Sequence, residues 1–154
     1  MIIYTLIILG IVVLDQLVKW WSLSSLKEMG TLPIIQDVFH LTYAENTGAA
    51  FSILAGKQTF LIAITSVAMI VMFAYLMKWS KNPGEFWAKI AFAMMIGGGI
   101  GNLIDRVRFG FVVDMFDARI INFAIFNIAD SFVSVGVALF VLSEFVINRK
   151  TARQ

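Results

Sequence analysis

The sequence predicts an all-α membrane protein: four transmembrane helices with a small extracytoplasmic β element, in a single integral membrane domain over residues 1–154. Three observations carry that expectation. Hydrophobic residues make up 60% of the chain and charged residues 14%, against about a quarter charged in soluble domains, and mean hydropathy is +0.86. Four stretches are apolar over about 20 residues, the length that crosses a hydrocarbon layer of about 30 Å. Two of the connections between them are rich in β-branched and aromatic residues, the composition of short strands.

The first span covers residues 2–22. It lacks the basic start and small-residue cleavage site of a removable signal peptide, so it is expected to be retained. In the connection that follows, Pro33 is expected to mark a turn and "VFHLTYAEN", residues 38–46, a strand. The second and third spans, residues 59–78 and 86–105, flank the turn signal "KNPG" at 81–84. "FGFVVDMF", residues 109–116, reads as a second strand, and the fourth span covers residues 126–147.

Lys and Arg in the flanks set the orientation, because they are retained on the cytoplasmic side. Lys78, Lys81, Lys89, Arg149, Lys150 and Arg153 share one side with the N-terminus; Lys27, Lys57, Arg106, Arg108 and Arg119 lie opposite. Six against five puts both termini in the cytoplasm and the longer connections outside. The absence of cysteine excludes disulfides, thiolate metal sites and a cysteine nucleophile, and the lone His40 excludes a histidine-rich metal site. The sequence pI is near 9.0, but the cations are scattered and form no stripe for nucleic acid.

Ionisable groups inside the spans are the next signal. A charge at a helix centre costs about 2.5–3.5 kcal/mol on insertion scales, so such groups face a bundle interior and have a task. Asp15, Lys19, Asp105 and Asp130 arrive from separate stretches at one level, near the outer interface. Each has a plainer explanation beside the functional one. Asp15 and Lys19, four apart, share a helix face and can neutralise each other. Asn127 can be a helix cap. Arg106 can pair with Asp105 or touch lipid headgroups. Capping does not account for Asn102 and Asp105, which fall at a C-terminal end where the helix dipole disfavours a carboxylate. Asn102-x-x-Asp105 and Asn127-x-x-Asp130 repeat one pattern. In "GGGIG", Gly97 and Gly101 have the spacing that lets membrane helices approach closely; with no strand before it, the run does not read as a nucleotide-binding loop. Met and aromatic side chains on the spans read as packing or lipid-facing groups.

Five stretches in order, "DQLVK" (15–19), "ENTGAAFS" (45–52), "GGGIGNLIDR" (97–106), "FVVDMF" (111–116) and "FNIADS" (126–131), resemble the bacterial lipoprotein signal peptidases, or signal peptidase II, over nearly the whole chain. The resemblance implies a four-span inner-membrane protein with an extracytoplasmic β cradle. It also implies an aspartyl endopeptidase that removes signal peptides from diacylglyceryl-modified prolipoproteins. Carried over by motif, the catalytic aspartates are Asp114 and Asp130. Asp15, Lys19, Asn46, Gly48, Asn102, Asp105, Arg106 and Asn127 match supporting and substrate-contacting positions, Asp105 for structure more than chemistry. Expected partners are the prolipoprotein and membrane lipid, with no nucleic acid, no cofactor, no metal and a monomeric protein. Val18 stands where Thr is common and Met115 where Phe is common. Asp117 adds a carboxylate; on an alternating strand it faces away from Asp114, and only one of the two can join Asp130.

Two carboxylates that share a site cannot both ionise easily, so one holds a proton while the other serves as base. The base draws a proton from water, which attacks the scissile carbonyl. A membrane proton or ion relay is the alternative, and a non-catalytic scaffold a third. A relay needs polar groups in both halves of the membrane, and the inner half offers little beyond Glu144.

Overall fold

The computed structural model describes residues 1–48 and 54–147. Residues 49–52 of the "ENTGAAFS" stretch and the basic tail at 149–153 lie outside the described residues. Helix α1, Ile2–Trp21, runs on through a π-helical turn at Ser22–Leu26 and a last turn at Lys27–Met29. Strands β1, Thr31–Ile35, and β2, Phe39–Asn46, follow, then α2, Gln58–Trp79, and α3, Phe86–Phe109. Strand β3, Val112–Asp117, a 3-10 turn at Arg119–Ile121, and α4, Ile128–Leu142, extended by a π-helical turn at Ser143–Ile147, complete the order. Among the described residues, four helices are long and apolar enough to cross a membrane.

Helix α3 is the centre of the bundle, with α1, α2 and α4 each packed on it. Its glycines make this possible. A Cβ on Gly97 would sit 3.0 Å from Ile11 of α1. One on Gly98 would overlap the carbonyl oxygen of Ala129 on α4, and one on Gly99 the sulfur of Met69 on α2. One apolar cluster joins Tyr4, Ile8, Leu76, Ala93 and Ile96 across the helices. A second, of Leu26, Val113 and Met115, lies between the end of α1 and the sheet.

The three strands form an antiparallel sheet in the order β1-β2-β3. Ala44 pairs with Asp114 and Asn46 with Val112, so β2 delivers Asn46 beside Asp114 on β3. Pro33, expected in a turn, lies in β1 instead. A proline has no N–H to give to a ladder, and an edge strand is where that loss is tolerated.

The third helix also departs from the expected boundary. It continues one turn past Asp105 and ends at Gly110, whose positive φ of 78° closes the helix with its N–H on Arg106 O. Arg106 and Arg108 in the last turn suit the negative end of the helix dipole. Asn102 and Asp105 therefore sit within the helix. Lys89, expected as a flanking charge, is buried and donates at 2.7 Å to the carbonyls of Asn82 and Gly84, where it satisfies the turn that joins α2 to α3.

Candidate active site

Asp114 and Asp130 reach one cavity from different elements, β3 and the first turn of α4. Asn127 joins them. As N-cap of α4 it forms a reciprocal capping box with Asp130: its Oδ1 accepts Asp130 N–H at 2.8 Å, and Asp130 Oδ2 accepts the N–H of Asn127 at 3.3 Å. The same side chain donates from Nδ2 to Asp114 Oδ1 at 2.6 Å. A cap and a site contact, set against each other in the sequence, are here one residue. Its amide can do both because it carries an acceptor and two donor hydrogens.

Two more amides complete the immediate surroundings. Asn46 Nδ2 donates to Asp114 Oδ2 at 3.1 Å, and its Oδ1 accepts the N–H of Gly48 at 2.9 Å. Asn102 Nδ2 donates to Asp130 Oδ1 at 2.7 Å, while its Oδ1 accepts from Lys19 Nζ at 2.9 Å and from Asn127 Nδ2 at 3.1 Å. Arg106 donates to Gly48 O at 2.8 Å and to Asn102 O at 3.4 Å. Backbone carbonyls are thus its partners, in place of the Asp105 pairing weighed from the sequence.

Beneath this layer lies a buried ionic cluster. Lys19 Nζ is 3.0 Å from Asp15 Oδ2 and 3.0 Å from Asp105 Oδ2. It therefore does more than neutralise its neighbour on α1. Asp15 Oδ1 accepts the N–H of Ala129 at 2.9 Å, one of the donors that the first turn of a helix leaves without an internal partner. Asp105 Oδ2 accepts the N–H of Val113 at 3.0 Å. The ten residues singled out in the sequence form one connected network. Gln16, inside "DQLVK" but not singled out, belongs to it too, with its amide nitrogen 2.9 Å from Asp105 Oδ1. Its polar side chain one residue from a membrane carboxylate was the available signal.

Burial raises the Asp114 carboxyl to about 7, helped by the nearby charge of Asp130 and opposed by the amide hydrogen bonds of Asn46 and Asn127. Asp117 points the other way. It accepts from Thr42 at 2.9 Å and from Arg119 at 2.9 Å. Burial works against its ionisation, but those hydrogen bonds outweigh it and hold the carboxyl below its ordinary value. The cavity measures about 780 Å³, and Phe123, Ile125, Phe126, Val133 and Val135 give it an apolar wall beside the two carboxylates. Sequence reasoning did not anticipate the 123–126 wall, which carries no polar signal.

Residues 7–146 match the family model for signal peptidase (SPase) II. The chain is 47% identical to the lipoprotein signal peptidase of Clostridioides difficile over 86% of its own length and 88% of the relative's. It is 44% identical to that of Halothermothrix orenii over 89% and 91%. A bacterial membrane enzyme solved by the in meso method at 2.3 Å resolution superposes with a TM-score of 0.84 at 32% identity, covering 98% of this chain and 90% of that one. Two carboxylates converging from β3 and α4, in a bundle with this connectivity and this sequence, lead to one assignment: the chain belongs to the signal peptidase II family.

Proposed function

We propose that Asp114 and Asp130 are the catalytic pair with which this bacterial multi-pass membrane protein removes signal peptides from prolipoproteins. The observation that carries the assignment is the shared cavity: two carboxylates, one from β3 and one from α4, each accepting from asparagine side-chain amides. The pair holds one proton between its members. The ionised partner takes a proton from water as the water oxygen bonds to the scissile carbonyl carbon. The protonated partner then gives its proton to the amide nitrogen as the carbon–nitrogen bond breaks. Asn46, Asn102 and Asn127 orient the carboxylates, and Arg106 fixes the Gly48 carbonyl at the rim. Asp15, Lys19 and Asp105 hold the backbone beneath.

The substrate is a precursor whose cysteine carries a diacylglyceryl group, for which the apolar wall of the cavity is a fitting surface. The distribution of Lys and Arg supports cytoplasmic termini, and with them a site near the extracytoplasmic face, since the sheet lies at the bundle end away from Met1 and Ser80. The protein works as a monomer, in contact with membrane lipid, without cofactor or metal. The proton or ion relay finds no support, because the carboxylates of α1, α3 and α4 gather at one level around backbone N–H groups. The deciding experiment uses purified protein in detergent with a precursor in lipidated and unlipidated forms. Shortening of the lipidated form alone is expected, unaffected by chelators. Equal cleavage of both would remove the lipid from the substrate definition.

A further inference from the structure

We infer that Gln16 is a positioning residue for catalysis, acting through Asp105 and the backbone of β3 on Asp114; this rests on the reading of Asp114 as a catalytic aspartate. The buried cluster holds two carboxylates, Asp15 and Asp105, both fully buried, and one ammonium, that of Lys19. Lys19 and the N–H of Val113 both occupy Asp105 Oδ2. Oδ1 of the same carboxylate faces the Gln16 amide at 2.9 Å, and that amide nitrogen also lies 3.2 Å from Asp15 Oδ2 and 3.3 Å from Gly101 O. Gln16 is thus the uncharged donor between two carboxylates that share a single cation.

A buried carboxylate oxygen deprived of its donor is costly, and the group turns to find another. Turning carries Oδ2 away from the Val113 N–H that it accepts. Val113 is the residue before Asp114, so the strand that carries the reacting carboxylate loses its anchor. A displacement of about 1 Å at a reacting group costs about 100-fold in rate. Gln16 touches neither reacting carboxylate, and its effect falls on kcat, not on substrate binding.

Two variants test this on the full chain in detergent with a lipidated precursor, and rates are taken per monodisperse molecule. Gln16→Leu removes the donor. Gln16→Glu keeps the shape but donates to Asp105 only when the introduced carboxyl is protonated. That carboxyl would face Asp15 and Lys19 on its own helix and Asp105 on α3, with Arg106 next along α3. Asp130 and Asp114 lie behind the N–H groups of Ala129 and Val113. Both variants should lose about 10- to 100-fold in kcat at neutral pH with KM unchanged. The deficit of Gln16→Glu relative to the parent should shrink as pH falls, while that of Gln16→Leu stays constant. A Gln16→Glu deficit that does not vary with pH, or a parental kcat in Gln16→Leu, would overturn the inference and leave Gln16 a packing residue. Should Gln16→Leu fail to accumulate, the pH dependence of Gln16→Glu decides alone. Asp114→Asn is measured in parallel. If it still cuts, the catalytic assignment itself fails; if it is inactive while both Gln16 variants match the parent, only the role of Gln16 falls.

Discussion

Asp15 on α1 accepts the backbone N–H of Ala129 on α4 at 2.9 Å, and Ala129 is the residue before Asp130. Asp105 does the same for Val113, the residue before Asp114. Each aspartate of the proposed pair therefore follows a backbone group anchored by a buried carboxylate, and Lys19 joins the two anchors. Geometry at the proposed pair is inherited from the buried layer beneath it.

Replacing either proposed catalytic group while preserving its shape should remove cleavage without removing the protein. Asp114→Asn and Asp130→Asn should each lower kcat by about 10²- to 10⁴-fold, with accumulation near normal. Asp117→Asn should be mild, since Asp117 is engaged by Thr42 and Arg119 on the other side of β3. Product formation by the three variants from one lipidated precursor checks the assignment, and an inactive Asp117→Asn beside an active Asp114→Asn would reverse it.

The raised Asp114 carboxyl makes two linked pH statements. A coupled pair titrates with two apparent values, so cleavage rate against pH should be bell-shaped, with its upper limb near the value of about 7 that burial and Asp130 impose on Asp114. Stability moves in a fixed direction as well. Asp114 binds its proton more tightly folded, at about 7, than at its ordinary 3.8, so its contribution falls as pH rises through that window and stays lost above it. Asp114→Asn cannot ionise. Its melting temperature should exceed the parent's at alkaline pH, and the gap should close as pH falls below the window. A constant gap would contradict the burial argument.

Gly98 should be among the least replaceable residues of α3. A Cβ there meets Ala129 O, an atom of α4 backbone immediately before Asp130, and backbone cannot turn aside as a side chain can. Gly98→Ala should cost about 1–3 kcal/mol and lower kcat besides. Gly10→Ala on α1, where a Cβ has nothing within 4 Å, is the comparison and should be neutral. Thermal melts and rates on both variants give the answer.

Reporter fusions test the orientation. Fusions after Lys81 or Gln154 should report from the cytoplasm, and fusions near Lys57 or Arg119 from the other side. A tail reported outside would place the proposed site on the wrong face.

Most of the fold was legible because lipid leaves so few solutions. Runs of about 20 apolar residues imply helices, and ionisable groups within them imply a shared interior. Boundaries were less legible. The sequence places the end of α3 at its first charges, but Arg106 and Arg108 sit favourably on a helix C-terminus and the true stop is Gly110. Strand β1 was hidden by Pro33, whose usual meaning is a turn. In the site, polar residues within apolar runs stood out, whereas Gln16 was masked by Asp15 beside it. The apolar wall at 123–126 has no local signature at all, since what makes it a wall is its place beside Asp114.

The ionic cluster also bears on how the chain is made. Helix α1 reaches the membrane first with Asp15 and Lys19 four residues apart, so it inserts as a self-compensated segment. Asp105 arrives some 90 positions later, with a charge whose ammonium partner waits in a helix already in place. Docking of α3 on α1 gives Lys19 a second carboxylate, and Asp105, so held, accepts the N–H of Val113. Failure of α3 to dock on α1 would leave Asp105 in the bilayer without its ammonium partner.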